Sequence, residues 1–246
     1  MKGSPTDLPV SADIGTHERV VEIFSKLPRG RILDAPAGSG ALTQELLKLG
    51  FTVVSADLEA APTLRQVAQH VLVADFNRPL PLSEASFDYV ACVEGIEHLE
   101  NPFHWLRECA RLLRPGGRLV LTTPNILVVS SRFRFLLTGF FNKFPRPLDE
   151  SRHEPRDHIN PIAYPELRFI LRRAGFTIER LTTNRVKAKE WLGVLLLPLL
   201  YPLTKLTLSI EQTETTRTMN RAIFRELMSK PVLFGQALIV VARKNP

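Results

Sequence analysis

At 246 residues and 27.7 kDa, the chain is long enough for one sizeable α/β domain with elaborations, or at most two small ones. Its 44% hydrophobic and 23% charged residues exclude a disordered or fibrous chain. Two cysteines, Cys92 and Cys109, are too few for a disulfide scaffold or a Cys-based structural zinc site, so a reducing, cytoplasmic compartment is expected.

The net charge of +7 divides unevenly. Residues 1–110 carry 9 Lys/Arg against 15 Asp/Glu, net −6, whereas residues 111–246 carry 23 against 10, net +13. Such asymmetry suits a meeting with anions, whether nucleic acid, phospholipid head groups or an acidic substrate; the alternative is a solvated basic face. No apolar run follows Lys2, so a cleaved secretion signal is not expected.

In chain order, Arg31-Ile32-Leu33-Asp34-Ala35 reads as a first strand running into a Gly-rich turn. Residues 41–49 have helical spacing, with Leu42, Leu46 and Leu49 on one face and Gly50 as the stop. Residues 51–57, 71–75 and 87–93 read as the next three strands. Residues 101–113 read as a helix with Pro102 in its first turn and Pro115-Gly116-Gly117 as its stop, and 118–123 as the fifth strand. A helix over 165–173, a sixth strand over 176–181 and a seventh over 235–242 complete the alternation. Short apolar strands separated by helices indicate a doubly wound, mostly parallel sheet with helices on both faces. Two long stretches, about 124–163 and 182–234, interrupt the rhythm, and stretches of that length carry function or structure of their own.

Gly38 and Gly40 stand where the first strand turns into a helix, so the backbone turns sharply and a ligand can lie against it. Asp57 ends the second strand 17 residues after Gly40, where a carboxylate can accept both hydroxyls of a ribose. Asp75 ends the third strand and is followed by Phe76, a pair suited to an adenine amino group and its flat face. These features in register on successive strands indicate a nucleoside site. A dinucleotide is disfavoured because the third glycine of Gly-x-Gly-x-x-Gly is replaced by Thr43, and because Asp34 would repel a diphosphate but suit a cationic ligand.

Leu33-Asp34-Ala35-Pro36-Ala37-Gly38-Ser39-Gly40, Asp57, Asp75-Phe76, Phe87 to Val90, Glu94 to His98 and Leu112 to Leu119 together resemble the class I S-adenosylmethionine-dependent methyltransferases. The block Glu94-Gly95-Ile96-Glu97-His98-Leu99 looks most like the branch of ubiquinone-biosynthesis O-methyltransferases. The resemblance runs from about residue 19 to 176 and resumes at the final strand. It implies one Rossmann-like domain over 1–246, with a seven-stranded sheet and S-adenosyl-L-methionine as cofactor. The backbone of Ala35, Pro36, Ala37, Gly38 and Gly40, after Asp34, would cradle the methionine end. Asp57, with Leu58 beside it, would hold the ribose, Asp75 and Phe76 the adenine, and Cys92, Val93 and Glu94 would line the floor. The family usually has glycine where this chain has Pro36, which removes one N–H donor from the loop.

For the methyl acceptor, His98 follows the fourth strand on the ligand side, where an imidazole serves as general base for a hydroxyl or fixes the loop. His158 is a second candidate base. With His153, Glu154 and Asp157 nearby it invites a metal reading, but the spacing matches no familiar signature and no metal is expected. If the seventh strand is antiparallel, both insertions flank the mouth of the active site. The first carries a basic, aromatic run over residues 132–144. The second carries 191–204, fourteen residues without a charge, flanked by Lys187, Lys189 and Lys205. That run is too short to span a bilayer and is broken by Pro198 and Pro202. It fits either a segment lying in the interface of an anionic membrane or a buried cap. The expected partner is an apolar or lipid-linked small-molecule acceptor, methylated at oxygen near the inner membrane face. A soluble acceptor and a non-catalytic cofactor-binding scaffold stand as alternatives. Nucleic acid is disfavoured, because it leaves the leucines unexplained and no RNA-binding signature is present.

Overall fold

The structure, a computed structural model, describes residues 8–151, 157–210 and 213–246. Helix α1 (Thr16–Ser25) precedes β1 (Arg31–Asp34), α2 (Ala41–Lys48), β2 (Thr52–Asp57), α3 (Pro62–Val67), β3 (Val71–Val73) and β4 (Phe87–Val93). Then follow α4 (Pro102–Leu112), β5 (Leu113–Pro124), α5 (Val129–Thr138), α6 (Tyr164–Arg173) and β6 (Phe176–Thr183). Helices α7 (Leu197–Thr207), α8 (Glu214–Leu227) and α9 (Lys230–Phe234) lead to β7 (Ala237–Lys244).

The strands form one seven-stranded sheet in the order β3-β2-β1-β4-β5-β7-β6, parallel except that β7 runs antiparallel to both neighbours. Period-2 alternation assigns each strand residue to one of two cores. Ile32, Tyr89, Val120 and Ile239 pack under α1 and α2 with Val20, Leu42 and Leu46. Leu33, Val90, Leu119 and Leu121 pack under α4 and α6 with Trp105, Leu106, Leu167 and Ile170. The chain builds outward from β1 through β2 to β3 and then returns to β4 on the other side of β1. That reversal opens a crevice at the carboxyl ends of β1 and β4.

Sequence boundaries shift in two informative places. The third strand ends at Val73, so Asp75 lies beyond it in a turn, where its Oδ1 accepts from the Asn77 amide at 2.9 Å. The fourth helix stops at Leu112 as the Pro-Gly-Gly run predicts, yet β5 already starts at Leu113. The pairing jumps from Phe87↔Leu113 to Tyr89↔Arg118, so residues 114–117 bulge out between two paired stretches. Gly117 is needed there because a Cβ would lie 3.0 Å from the Asp88 carbonyl oxygen.

Because β7 is antiparallel, the chain leaves β5 and β6 at the same edge, and both long interruptions stand there. They hold α5 in the first and, in the second, a 3-10 turn (Ala188–Leu196) followed by α7, α8 and α9. Gly193 lets the 3-10 turn lie against α5, since a Cβ would come within 2.9 Å of Val129 Cβ.

Candidate active site

The loop after β1 is pinned from both sides. Ala35 N donates to Ala91 O on β4 and Ala37 N to Ala56 O on β2, each at 2.9 Å. Gly38 (φ +55°) and Gly40 (φ +90°) both adopt the left-handed region. A Cβ at Gly40 would strike Val67 Cγ2 at 2.6 Å, so this glycine admits the packing of α3. A Cβ built on Gly38 would meet nothing within 4 Å, so that side of its backbone faces open space. Pro36 follows a cis peptide and its ring lies over Gly95, where any Cβ would collide with it. The proline is thus accommodated by a glycine from the β4 side.

Asp34 is fully buried. Its Oδ2 accepts from Thr43 Oγ1 at 2.6 Å, while Oδ1 has no hydrogen-bond partner. Burial pushes its carboxyl up to about 7, the Thr43 hydrogen bond opposes this, and the neighbouring Asp57 adds to it. Asp57, at the tip of β2, accepts from Gly38 N at 2.7 Å and so ties the loop to the strand end. A carboxylate has about four lone-pair sites, which leaves room for two further hydroxyl donors. Leu58 beside it is exposed. The Phe76 ring, by contrast, is buried in the core against Trp105, with centroids 4.9 Å apart. It therefore presents little face to a base, and Leu58 is the apolar side chain that looks outward here. An orphaned acidic oxygen, open space over Gly38 and spare acceptor capacity on Asp57 fit the cofactor that the resemblance implies.

Across the crevice, the Cys92 thiol is buried and accepts from Trp105 Nε1 at 3.3 Å; burial pushes its pKa up to about 12, so it stays a thiol. Val93 is buried beside it. Glu94 adopts φ +46° and receives the Asp13 amide at 3.1 Å on Oε1 and 3.2 Å on Oε2.

The structure brings His98 and His158 together, with ring centroids 4.7 Å apart and edge to face. His98 Nδ1 pairs with the Asp157 carbonyl at 3.0 Å, which assigns that nitrogen the proton and leaves Nε2 the basic one. Burial and the neighbouring His98 lower the pKa of His158, keeping its ring neutral at neutral pH. Glu97, which the sequence reading had no role for, is fully buried close to both histidines. Thr123 Oγ1 donates to its Oε2 at 3.2 Å, Oε1 lacks a hydrogen-bond partner, and burial raises its pKa to about 8. One donor atom each from Glu97, His98 and His158 fall within 4.8 Å of one another, a set that suits a divalent ion. His153 and Glu154 of the proposed cluster lie outside the described residues.

Next to these histidines opens a cavity of about 780 Å³, walled by Phe135, Phe140, Phe141 and Phe144 of the first insertion, with Lys143 and His158 in its lining. Phe135 stacks on Phe141 at 4.3 Å, and Phe144 lies 5.3 Å from the His158 ring. Phe144 and Lys143 end the basic, aromatic run that the sequence placed at the mouth of the site, but their contact with His158 and the cavity was not foreseen.

The family model described as "Methyltransferase domain" matches residues 16–181. The chain is 35% identical over 167 residues to the ubiquinone biosynthesis O-methyltransferase of Xanthomonas euvesicatoria pv. vesicatoria, covering 63% of this chain and 65% of that protein. To the enzyme of the same name from Xanthomonas axonopodis pv. citri it is 36% identical over 159 residues, 61% and 63% of the two chains. The chain thus spans just under two thirds of the length of these curated relatives. Among solved structures, an S-adenosylmethionine-dependent methyltransferase from Archaeoglobus fulgidus superposes with a TM-score of 0.57 at 20% identity, covering 94% and 95% of the two chains. The 1,6-didemethyltoxoflavin-N1-methyltransferase of Burkholderia thailandensis, crystallised with its substrate and S-adenosylhomocysteine, gives 0.55 at 17% identity over 95% and 80%. At these identities the structures show a shared fold.

Proposed function

Because the chain belongs to the class I S-adenosylmethionine-dependent methyltransferases, we propose that it transfers a methyl group from that cofactor to a hydroxyl oxygen of an apolar, lipid-linked acceptor at a membrane surface. The observation that carries the cofactor half is the buried Asp34 Oδ1 without a hydrogen-bond partner, on the same turn as the open face of Gly38. The cofactor supplies an electrophilic methyl on a sulfonium; the protein supplies orientation and a base. Asp34 and the Gly38 loop receive the methionine end, Asp57 the ribose, and Asp75 with Leu58 the base end. The acceptor fills the phenylalanine-walled cavity and its hydroxyl proton passes to the imidazole pair, His158 or His98.

The membrane half rests on apolar side chains that stand exposed among the described residues. Leu192, Leu195, Leu199, Leu203, Leu206 and Ile210 are all exposed, Leu195 at 79%, at spacings that keep them on one side from the 3-10 turn through α7. No residue of α7 is buried, which argues against a buried cap. On the neighbouring α5, Phe133, Leu136 and Leu137 are likewise exposed. A water-facing leucine forgoes roughly 1.5–3 kcal/mol that burial would provide, so a row of them calls for an apolar partner. Lys187, Lys189 and Lys205 border the row, and each adds about 1 kcal/mol near an anionic surface. Among the described residues no helix is long and apolar enough to cross a membrane, so the contact we propose is peripheral, with the two insertions as its cap.

Vesicles containing phosphatidylglycerol are expected to sediment the protein at low salt, and Leu195→Glu with Leu199→Glu to reduce this at least tenfold. Absence of binding by the unaltered chain moves the acceptor to a soluble metabolite. Methyl-labelled S-adenosylmethionine incubated with the protein and a membrane lipid extract should yield labelled lipid. Label confined to water-soluble products, or none at all, refutes the lipid acceptor.

In a second reading, the triad of Glu97, His98 and His158 would hold a divalent ion that lowers the pKa of the acceptor hydroxyl in place of an imidazole base, since a ligating nitrogen no longer accepts a proton. Zinc or manganese is expected to raise the Tm by a few degrees, an effect that disappears in His158→Ala. An unchanged Tm with either ion argues for proton transfer by the histidines alone.

A further inference from the structure

Residues 9–15 contain no regular helix or strand, yet they cross the ligand edge of the sheet from one half of the site to the other. At one end, Ser39 Oγ, between the two glycines of the cofactor loop, donates to Pro9 O at 2.5 Å. In the middle, the Asp13 amide donates to both oxygens of Glu94 at the end of β4. At the far end, Asn184 Nδ2 donates to Ile14 O at 3.2 Å.

The Asp13 side chain makes the link between halves. Only 11% exposed, its carboxylate pairs with Lys143 Nζ at 3.2 Å and with Arg185 Nη2 at 3.1 Å. Lys143 belongs to the first insertion and lines the phenylalanine-walled cavity, while Arg185 follows β6 at the start of the second. Lys187 also lies within electrostatic reach of Lys143 and Arg185. Three cations therefore converge from two insertions, and Asp13 supplies the anion that lets them do so. Lys143 in turn lies within electrostatic reach of Glu94 and Glu97, so its place in the cavity is set by acids from both half-sites.

We propose that residues 9–15 are a strap across the mouth of the site, closed by the ion pairs of Asp13 with Lys143 and Arg185, which retains the bound cofactor and positions Lys143 in the acceptor cavity. The proposal rests on the cofactor reading above. A segment held by side-chain ion pairs, without a backbone ladder, opens readily to admit a ligand and closes again without refolding the domain. Asp13 is a positioning residue: it touches the cations, and through Lys143 it acts on the cavity.

The test is stopped-flow release of S-adenosylhomocysteine from the full chain. Asp13→Asn keeps the side-chain size and removes the charge. It is expected to speed release about tenfold, the equivalent of about 1.4 kcal/mol, and to abolish the acceleration of release by salt that the ion pairs predict for the unaltered chain. Asp13→Glu should restore most of both. Lys143→Met, which leaves the strap's backbone contacts in place, should reproduce the asparagine variant, and the double variant should add little further. Release that is unchanged in rate and salt response in both single variants overturns the strap. Failure of the unaltered chain to bind S-adenosylhomocysteine overturns the cofactor reading, and the strap with it.

Discussion

Asp57→Ala is expected to lower affinity for S-adenosylhomocysteine by about 100-fold or more, measured by titration calorimetry. Two contributions combine. The carboxylate is assigned both ribose hydroxyls, and hydrogen bonds to a charged group contribute roughly 1.5–3 kcal/mol each. It also holds the Gly38 amide at 2.7 Å, so its loss frees the loop that the cofactor must lie against. Asp57→Asn should fall between, because an amide oxygen can still accept from Gly38 and one hydroxyl. The protein should remain folded, since Asp57 sits at a strand tip and the two cores do not include it. Unchanged affinity in the alanine variant removes Asp57 from the ribose and leaves it as a loop anchor.

The parts of this site that were legible in the sequence are those built by a single local motif. Ile32-Leu33-Asp34 followed by two glycines fixes a strand, a left-handed turn and a helix within about a dozen residues, and the structure has each of them. Asp57 was legible because strand ends in a parallel sheet face one edge. Asp75 sat less securely: the strand closes two residues early, since its outer side has no neighbour to pair with, and the carboxylate is taken up by an Asx turn with Asn77. Phe76 follows the same logic. The turn that leaves Asp75 partly exposed buries Phe76 against Trp105, and no pattern in the sequence announced that partner 29 residues away.

Longer-range assembly was invisible for a different reason. His98 and His158 were each read as a candidate base, but their meeting depends on where the chain returns after the first insertion. Backbone amides of Ile159 and Asn160 donate to the Glu97 carbonyl at 3.0 and 2.9 Å, and it is this pairing that carries His158 onto His98. A spacing of 60 residues that spans α4, β5, α5 and the loop beyond matches no metal or dyad pattern. Glu97 stood out in the sequence only as part of the block over residues 94–99, and its burial beside the two histidines emerges only in the fold. The apolar run over 191–204 posed the converse problem. Composition could not separate a buried cap from a membrane-facing segment, because both need leucines; the structure leaves Leu192, Leu195, Leu199 and Leu203 exposed while Leu197 and Leu200 pack toward Val129, Leu233 and Phe234.

Asp34 should make stability fall as pH rises, opposite to an ordinary ion-paired carboxylate, and cofactor affinity rise over the same range. Its folded pKa of about 7 exceeds its unfolded value of about 3.8 because burial disfavours the charge. Between those values the folded chain holds a proton that the unfolded chain has lost. This contribution to stability is therefore complete below pH about 4, declines as pH rises toward 7, and is flat above. A shift of that size corresponds to on the order of 4 kcal/mol across the window. Asp34→Asn, uncharged throughout, should flatten that part of the profile and be the more stable chain at pH 8 in urea. An ammonium placed against Oδ1 reverses the preference, since a cation stabilises the carboxylate. Below pH 7, cofactor binding should then expel a proton, and affinity should rise by up to tenfold per pH unit before levelling off above 7. Calorimetry at pH 6 in buffers of different ionisation enthalpy reads that proton directly. A binding enthalpy independent of buffer would mean that Asp34 keeps its proton, and the ammonium must then be held elsewhere on the loop.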